Sequence, residues 1–146
     1  MIVTLINFAL AMQRTTFKHM RCPIARSLEH VGEWWSILIL RDATKGLTRF
    51  DQFQKSLNIA PNILTRRLAT LVESGLLERR LYCNHPPRYE YALTTAGRDF
   101  RPVLVALLRW GNQYFPSGGG KVFLATAPRR PSAHPFAGQK GGDRAR

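Results

Sequence analysis

From Ile24 to Leu40 the apolar residues Ile24, Leu28, Val31, Trp35, Leu38 and Ile39 recur at spacings of three, four and one. That is the period of an amphipathic helix with one face turned toward a core. Pro23 suits its first turn, where no intrahelical N–H donor is needed, and Gly32 inside it marks a close packing contact or a local weakness. Lys45-Gly46 is a stop. A second helix starts at Thr48-Arg49-Phe50-Asp51, with Thr48 expected to cap the free N–H groups and Asp51 to complement the helix dipole. Phe50, Phe53 and Leu57 form its buried stripe. After the Asn58-Ile59-Ala60 turn, Pro61 opens a third helix that ends near Ser74, just before Gly75.

On the third helix Leu64, Leu68, Leu71 and Val72 share one face, while Asn62, Thr65, Arg66 and Ala69 lie opposite at i, i+3, i+4 and i+7. Two short strands follow, Leu76 to Tyr82 and Arg88 to Leu93, the second alternating Tyr89, Tyr91 and Leu93 with Arg88, Glu90 and Ala92. Cys83 to Pro87 is the turn between them. Arg79 and Arg80 point to opposite faces of their strand, so one of them is expected to be structural or paired with Glu78 or Glu90. A last helix spans Thr95 to Phe115, with Pro102 marking a kink or a late start. Its residues Phe100, Val103, Leu104, Leu107, Leu108 and Trp110 are apolar over more than a narrow stripe, which suits burial against both its own domain and a partner; a monomer core is the alternative. The predicted fold is mainly α with a small β-hairpin wing, an α+β arrangement in which a winged helix-turn-helix carries flanking dimerisation helices.

Composition adds a partner class. The 146 residues hold 22 Lys and Arg against 9 Asp and Glu, a net charge of +13 that favours polyanions. Residues 117–146 contribute +5 of it, so the body is basic without its tail. Pro116-Ser117-Gly118-Gly119-Gly120 breaks the pattern. Beyond it Val122-Phe123-Leu124 is the one candidate for a further short strand, and the rest lacks the apolar surface to offset its ordering entropy. The apolar run Met1 to Ala11 has no basic residue ahead of it and is far shorter than the ~20 residues that span a bilayer. The expected organisation is an N-terminal arm over 1–21, the winged domain with its dimerisation helix over 22–115, and a flexible basic tail over 116–146. Two cysteines, Cys22 and Cys83, make no disulfide framework, which points to free thiols in a reducing cytoplasm.

The outward face of the third helix is the candidate DNA-reading face. Asn pairs with adenine, Arg with guanine or phosphate, and Thr or Ala methyls meet thymine in the major groove. The hairpin beside it is placed to reach phosphates or the minor groove, with Arg88 and the turn ranked above Arg79 and Arg80. The candidate DNA-binding residues are Thr48, Pro61, Asn62, Thr65, Arg66, Ala69 and Arg88. Enzyme chemistry finds no support. Cys83 and His85 complete no metal-ligand spacing, even with His30 or His19, and Gly118-Gly119-Gly120-Lys121 lacks the strand, spacing and Ser or Thr of a phosphate loop. No metal, cofactor or membrane is expected. The alternative function is a winged domain that binds protein, with nonspecific nucleic-acid binding through the tail.

Together these segments resemble the HxlR family of winged helix-turn-helix regulators, a relative of the MarR group, from Cys22 to about Tyr114. The resemblance rests on Cys22-Pro23-Ile24-Ala25, Gly32-Glu33-Trp34-Trp35, Ile37-Leu38-Ile39-Leu40-Arg41 and Arg49-Phe50-Asp51-Gln52-Phe53. It continues through Ile59-Ala60-Pro61-Asn62-Ile63-Leu64-Thr65-Arg66-Arg67-Leu68, Leu71-Val72-Glu73-Ser74-Gly75-Leu76-Leu77, Pro86-Pro87-Arg88-Tyr89-Glu90-Tyr91 and Leu93-Thr94. It implies a homodimer on double-stranded DNA with paired half-sites, acting as repressor or activator. The segment before Ile24 and the helix from Thr95 to Phe115 would make the dimer. Some members sense electrophiles or oxidants through the cysteine before the first Pro, the place of Cys22, so a small-molecule or electrophile effector is a further expectation. Arg21, Arg26 and the helix start favour thiolate there; a small buried hydrophobe is the other role open to this cysteine.

Overall fold

A computed structural model describes residues 16–116 and 118–124. Most of the N-terminal arm and of the basic tail expected above lie outside the described residues. The described chain folds in the order α1 (Pro23–Val31), α2 (Trp34–Thr44), α3 (Phe50–Leu57), α4 (Pro61–Glu73), β1 (Leu77–Asn84), β2 (Pro87–Leu93), α5 (Thr95–Asp99) and α6 (Arg101–Tyr114). This is the mainly helical, hairpin-bearing architecture of a winged helix-turn-helix. No helix among the described residues is long and apolar enough to cross a membrane.

The first predicted helix is two helices. The Gly32 N–H donates to the Leu28 carbonyl at 2.8 Å and ends α1, and Glu33 turns extended (ψ 132°) to start α2. A Cβ on Gly32 would lie 2.3 Å from the Leu28 carbonyl oxygen, so this glycine permits the break. The break redistributes the predicted stripe: Val31, Ile39 and Leu40 are buried, whereas Ile24 is 74% exposed and Leu28 is also exposed. Splitting the helix turns the α1 stripe partly away from the core.

Helix α2 is the hub, in contact with α1, α3, α4, α6 and β2. Around it Ile39, Leu40, Phe53, Ile59, Leu64, Leu68, Leu71 and Leu77 form the buried core. Thr48 does not cap α3. The N-cap is Arg49, and the Gln52 Oε1 accepts the N–H groups of Thr48 and Arg49, both at 3.0 Å. Asp51 does occupy the first turn. Asn58 takes the left-handed conformation (φ 49°) that turns the chain toward α4.

Helix α4 ends in a double hydrogen-bonded cap, the Leu76 N–H on the Leu71 carbonyl and the Gly75 N–H on the Val72 carbonyl, both at 3.0 Å, with Gly75 at φ +72°. A Cβ on Gly75 would meet nothing within 4 Å among the described residues, so a substitution there is penalised through the backbone alone. Gly75→Ala is expected to cost ~1–2 kcal/mol of stability in denaturant melts, with Gly75→Asn closer to the parent. Equal melts for all three would show that this residue's conformation is not what ends α4.

The strands pair antiparallel with Leu77 opposite Leu93 and Leu81 opposite Tyr89, then a bulge at Tyr82 brings Cys83 opposite Arg88. They reach further than expected, leaving only His85-Pro86 as the tip. Thr94 starts the return: its hydroxyl accepts from the Gly97 N–H at 3.1 Å and donates to the Gly75 carbonyl at 2.6 Å. The last predicted helix divides at Phe100, with Pro102 in the first turn of α6, a late start rather than a kink. Val122 to Leu124 form no strand. The Asn112 carboxamide holds the Val122 backbone instead, donating to its carbonyl (2.8 Å) and accepting from its N–H (3.2 Å).

Candidate nucleic-acid interface

Leu64, Leu68 and Leu71 anchor α4 in the core, so Pro61, Asn62, Thr65, Arg66 and Ala69 face outward together. The five candidates from this helix therefore share one exposed surface. The Thr65 hydroxyl donates to the Pro61 carbonyl at 2.8 Å, which leaves its methyl and its lone pairs for a ligand. Asn62 Oδ1 accepts the Ile63 N–H at 2.9 Å, leaving its amide donors free to turn outward. Ala69 adds no bulk, so a groove edge can approach the backbone closely.

Arg66 and its neighbour Arg67 have different roles. Arg67 turns back and pairs with Glu33 at 2.8 Å, joining α4 to the start of α2. His30 Nδ1 meets the Ser74 hydroxyl at 2.9 Å and joins the far end of α4 to α1. Helix α4 is thus tied to the preceding helices at its middle and at its C-terminal end. Arg66 is exposed and makes no ion pair among the described residues. The helical period already sets Arg66 and not Arg67 on the outward face; the position of Glu33 after the α1–α2 break supplies the partner that Arg67 takes.

The wing is braced against the start of α3. The Tyr91 N–H donates to the Thr48 carbonyl at 2.7 Å, and Arg49 forms a backbone bridge to Glu90. Thr48 is half-buried in this junction, while Arg88 is exposed on β2. The Arg49 guanidinium lies 4.7 Å over the Tyr82 ring, and that of Arg79 lies 3.8 Å over Tyr89. Arg80 pairs with Glu78. Both strand arginines are therefore held, where only one was expected to be. Arg49 was missing from the candidate set: its partner Tyr82 is the bulged residue, and no alternation pattern places a bulge.

A second exposed surface is apolar. On α6 Val103, Leu107, Trp110 and Tyr114, four, three and four residues apart, line one face in solvent, while Leu104 is buried. Trp110 is 54% exposed and packs against the rings of Phe115 (5.2 Å between centroids) and Tyr114 (6.0 Å). Ile24 and Trp34 are similarly open. Cys22 is exposed at the N-cap of α1, and Cys83 is half-buried in the wing with its thiol 3.7 Å from the His85 carbonyl oxygen.

The sequence and the fold both have relatives. The family model described as HxlR-like helix-turn-helix matches residues 30–118. An uncharacterized HTH-type transcriptional regulator of Mycobacterium tuberculosis is 46% identical over 97 residues, 66% of this chain and 61% of its own length. The chain thus spans about three fifths of that relative. Among solved structures, the candidate transcription factor PA1607 aligns with a TM-score of 0.66 and 41% identity over 88% of this chain and 84% of its own. The oxidized form of the redox regulator HypR aligns with a TM-score of 0.58 and 30% identity, over 63% of this chain and 96% of its own.

Proposed function

The chain belongs to the HxlR-like helix-turn-helix family of DNA-binding transcriptional regulators rather than to an enzyme family, and we propose that it acts as a homodimer reading an operator of paired half-sites. The observation that carries this reading is the exposed face of α4, where Asn62, Thr65, Arg66 and Ala69 lie together with the braced wing alongside. Basic side chains neutralise phosphates and release counterions, and the α4 face tests base edges in the major groove. In this reading residues 22–115 are the unit that reads DNA and dimerises; most of the expected arm over 1–21 and of the basic tail over 116–146 lies outside the described residues. On the same reading the protein works in the cytoplasm.

The apolar face of α6, together with the open residues of α1, supplies the surface for the second copy. A single chain leaves these side chains in water at a cost that a two-fold partner removes. Cys22, exposed beside Pro23, is the thiol through which an oxidant or electrophile would act, the role that the likeness to a redox regulator favours.

Selection from random duplex pools at rising salt, with the mass of the complex measured, tests the reading. Two chains on a paired motif that survives salt able to remove nonspecific binding is the expected result, with affinity falling steadily as salt rises. Weak binding without sequence preference, lost on deleting residues 117–146, would instead make the winged domain a protein-binding module.

A further inference from the structure

A cavity of about 350 Å³ lies between α2 and α6, away from the α4 reading face. Leu38 and Arg41 form one wall, Leu104, Leu108 and Gly111 the other, and Leu124 lies at one side. The exposed Leu107 and Phe115 line its edge, where it borders the apolar α6 face. Asn112, through its paired hydrogen bonds to Val122, holds the segment that carries Leu124 in place. The volume falls within the ~300–1,000 Å³ of small-molecule sites. It is too small for a helix, whose side chains make a rod ~10–12 Å across, so a protein segment of that kind does not fill it.

The lining also sets the chemistry of the occupant. Its walls are aliphatic and aromatic apart from Arg41 and Asn112, and both of these are already engaged. Arg41 places Nε and Nη2 each 2.8 Å from Asp42 Oδ1, an oxygen that also lies 3.9 Å from Lys45 Nζ, and both ends of the Asn112 amide are occupied by Val122. A charged ligand would lose its hydration, and the cavity's own walls hold no ionisable side chain besides the paired Arg41 to answer it. We propose that this cavity is a binding site for a small uncharged, mainly apolar molecule, about the size of two fused rings, whose occupancy alters DNA affinity.

Helix α2 supplies the coupling. Leu38 and Arg41 line the cavity, while Ile39, Leu40 and Ala43 belong to the core that receives Leu64, Leu68 and Leu71 of α4. A molecule wedged between α2 and α6 therefore biases the placement of the reading helix relative to the terminal helix. This second part rests on the DNA-binding function proposed above; the binding site itself does not.

Gly111 makes the test clean, because it lines the cavity and a Cβ built on it meets nothing within 4 Å among the described residues. The full chain is titrated with N-phenylnaphthylamine, an uncharged dye bright in apolar surroundings, and with its charged analogue anilinonaphthalene sulfonate. Saturable binding of the uncharged dye, weakened roughly tenfold or more in Gly111→Leu and similarly weaker for the sulfonate, is expected. Naphthalene should displace the dye and move the methyl resonances of Leu104, Leu108 and Leu124 most, a localisation that needs no variant. No saturable binding, equal binding of the sulfonate, or largest shifts elsewhere would overturn the site. Operator affinity is then measured with and without saturating naphthalene. A change of about threefold or more in the parent and none in Gly111→Leu supports the coupling; identical affinities refute it. Dye binding in a chain that binds no duplex at all would uphold the site and defeat the regulator reading instead.

Discussion

Replacing Trp110 by Asp is expected to leave each chain folded while lowering affinity for a duplex with two half-sites by ~10²–10⁴, the gain that linking two binding events supplies. The fold should tolerate the change because Trp110 is exposed in the single chain and touches only Tyr114 and Phe115 among aromatic residues described. The assembly should not. In a two-fold interface each carboxylate would be repeated on the partner, placing two charges in an apolar contact with no cation on the stripe to answer them. Light scattering should report a monomer, and binding to an isolated half-site should stay close to that of a parent chain engaged through one reading head. A Trp110→Asp protein that still runs as a dimer and binds the paired duplex unchanged would place the interface elsewhere. Retained mass with lost DNA binding would mean that α6 orients the reading heads without joining them.

The helix-turn-helix and the wing were legible in the sequence because each rests on a strong local signal. Leu64, Leu68 and Leu71 repeat at a helical period, Gly75 ends the helix in the left-handed cap it suits, and Tyr89, Tyr91 and Leu93 alternate as a strand must. What escaped includes local features whose residue types admit more than one outcome. The periodicity from Ile24 to Ile39 runs through the break at Gly32 and Glu33 without a fault, since two helices in near succession can keep one apolar pattern. A favoured cap residue at Thr48 lost to Gln52, whose side chain reaches back to two N–H groups where one hydroxyl would serve one. On the candidate surface, helical period identified the outward face of α4 with Arg66 on it, and tertiary pairing gave Arg67 its partner.

That distinction yields the most specific expectation for the DNA interface. Arg66→Ala is expected to cost ~1–3 kcal/mol of operator affinity and to relax preference at one base position, the signature of a lost bidentate contact to guanine. Arg67→Ala removes a partly exposed ion pair to Glu33, worth ~0–1 kcal/mol of stability, and should leave the base preference at every position as it was. Measuring both variants against a set of single-base operator substitutions, at two salt concentrations, separates the roles. If Arg66 instead holds a phosphate, its loss weakens all sequences alike and reduces the salt slope by about one, which moves specificity to Asn62 and Thr65. If Arg67→Ala is the variant that relaxes base preference, the Glu33 pair opens on binding, and the break between α1 and α2 becomes part of how the operator is read.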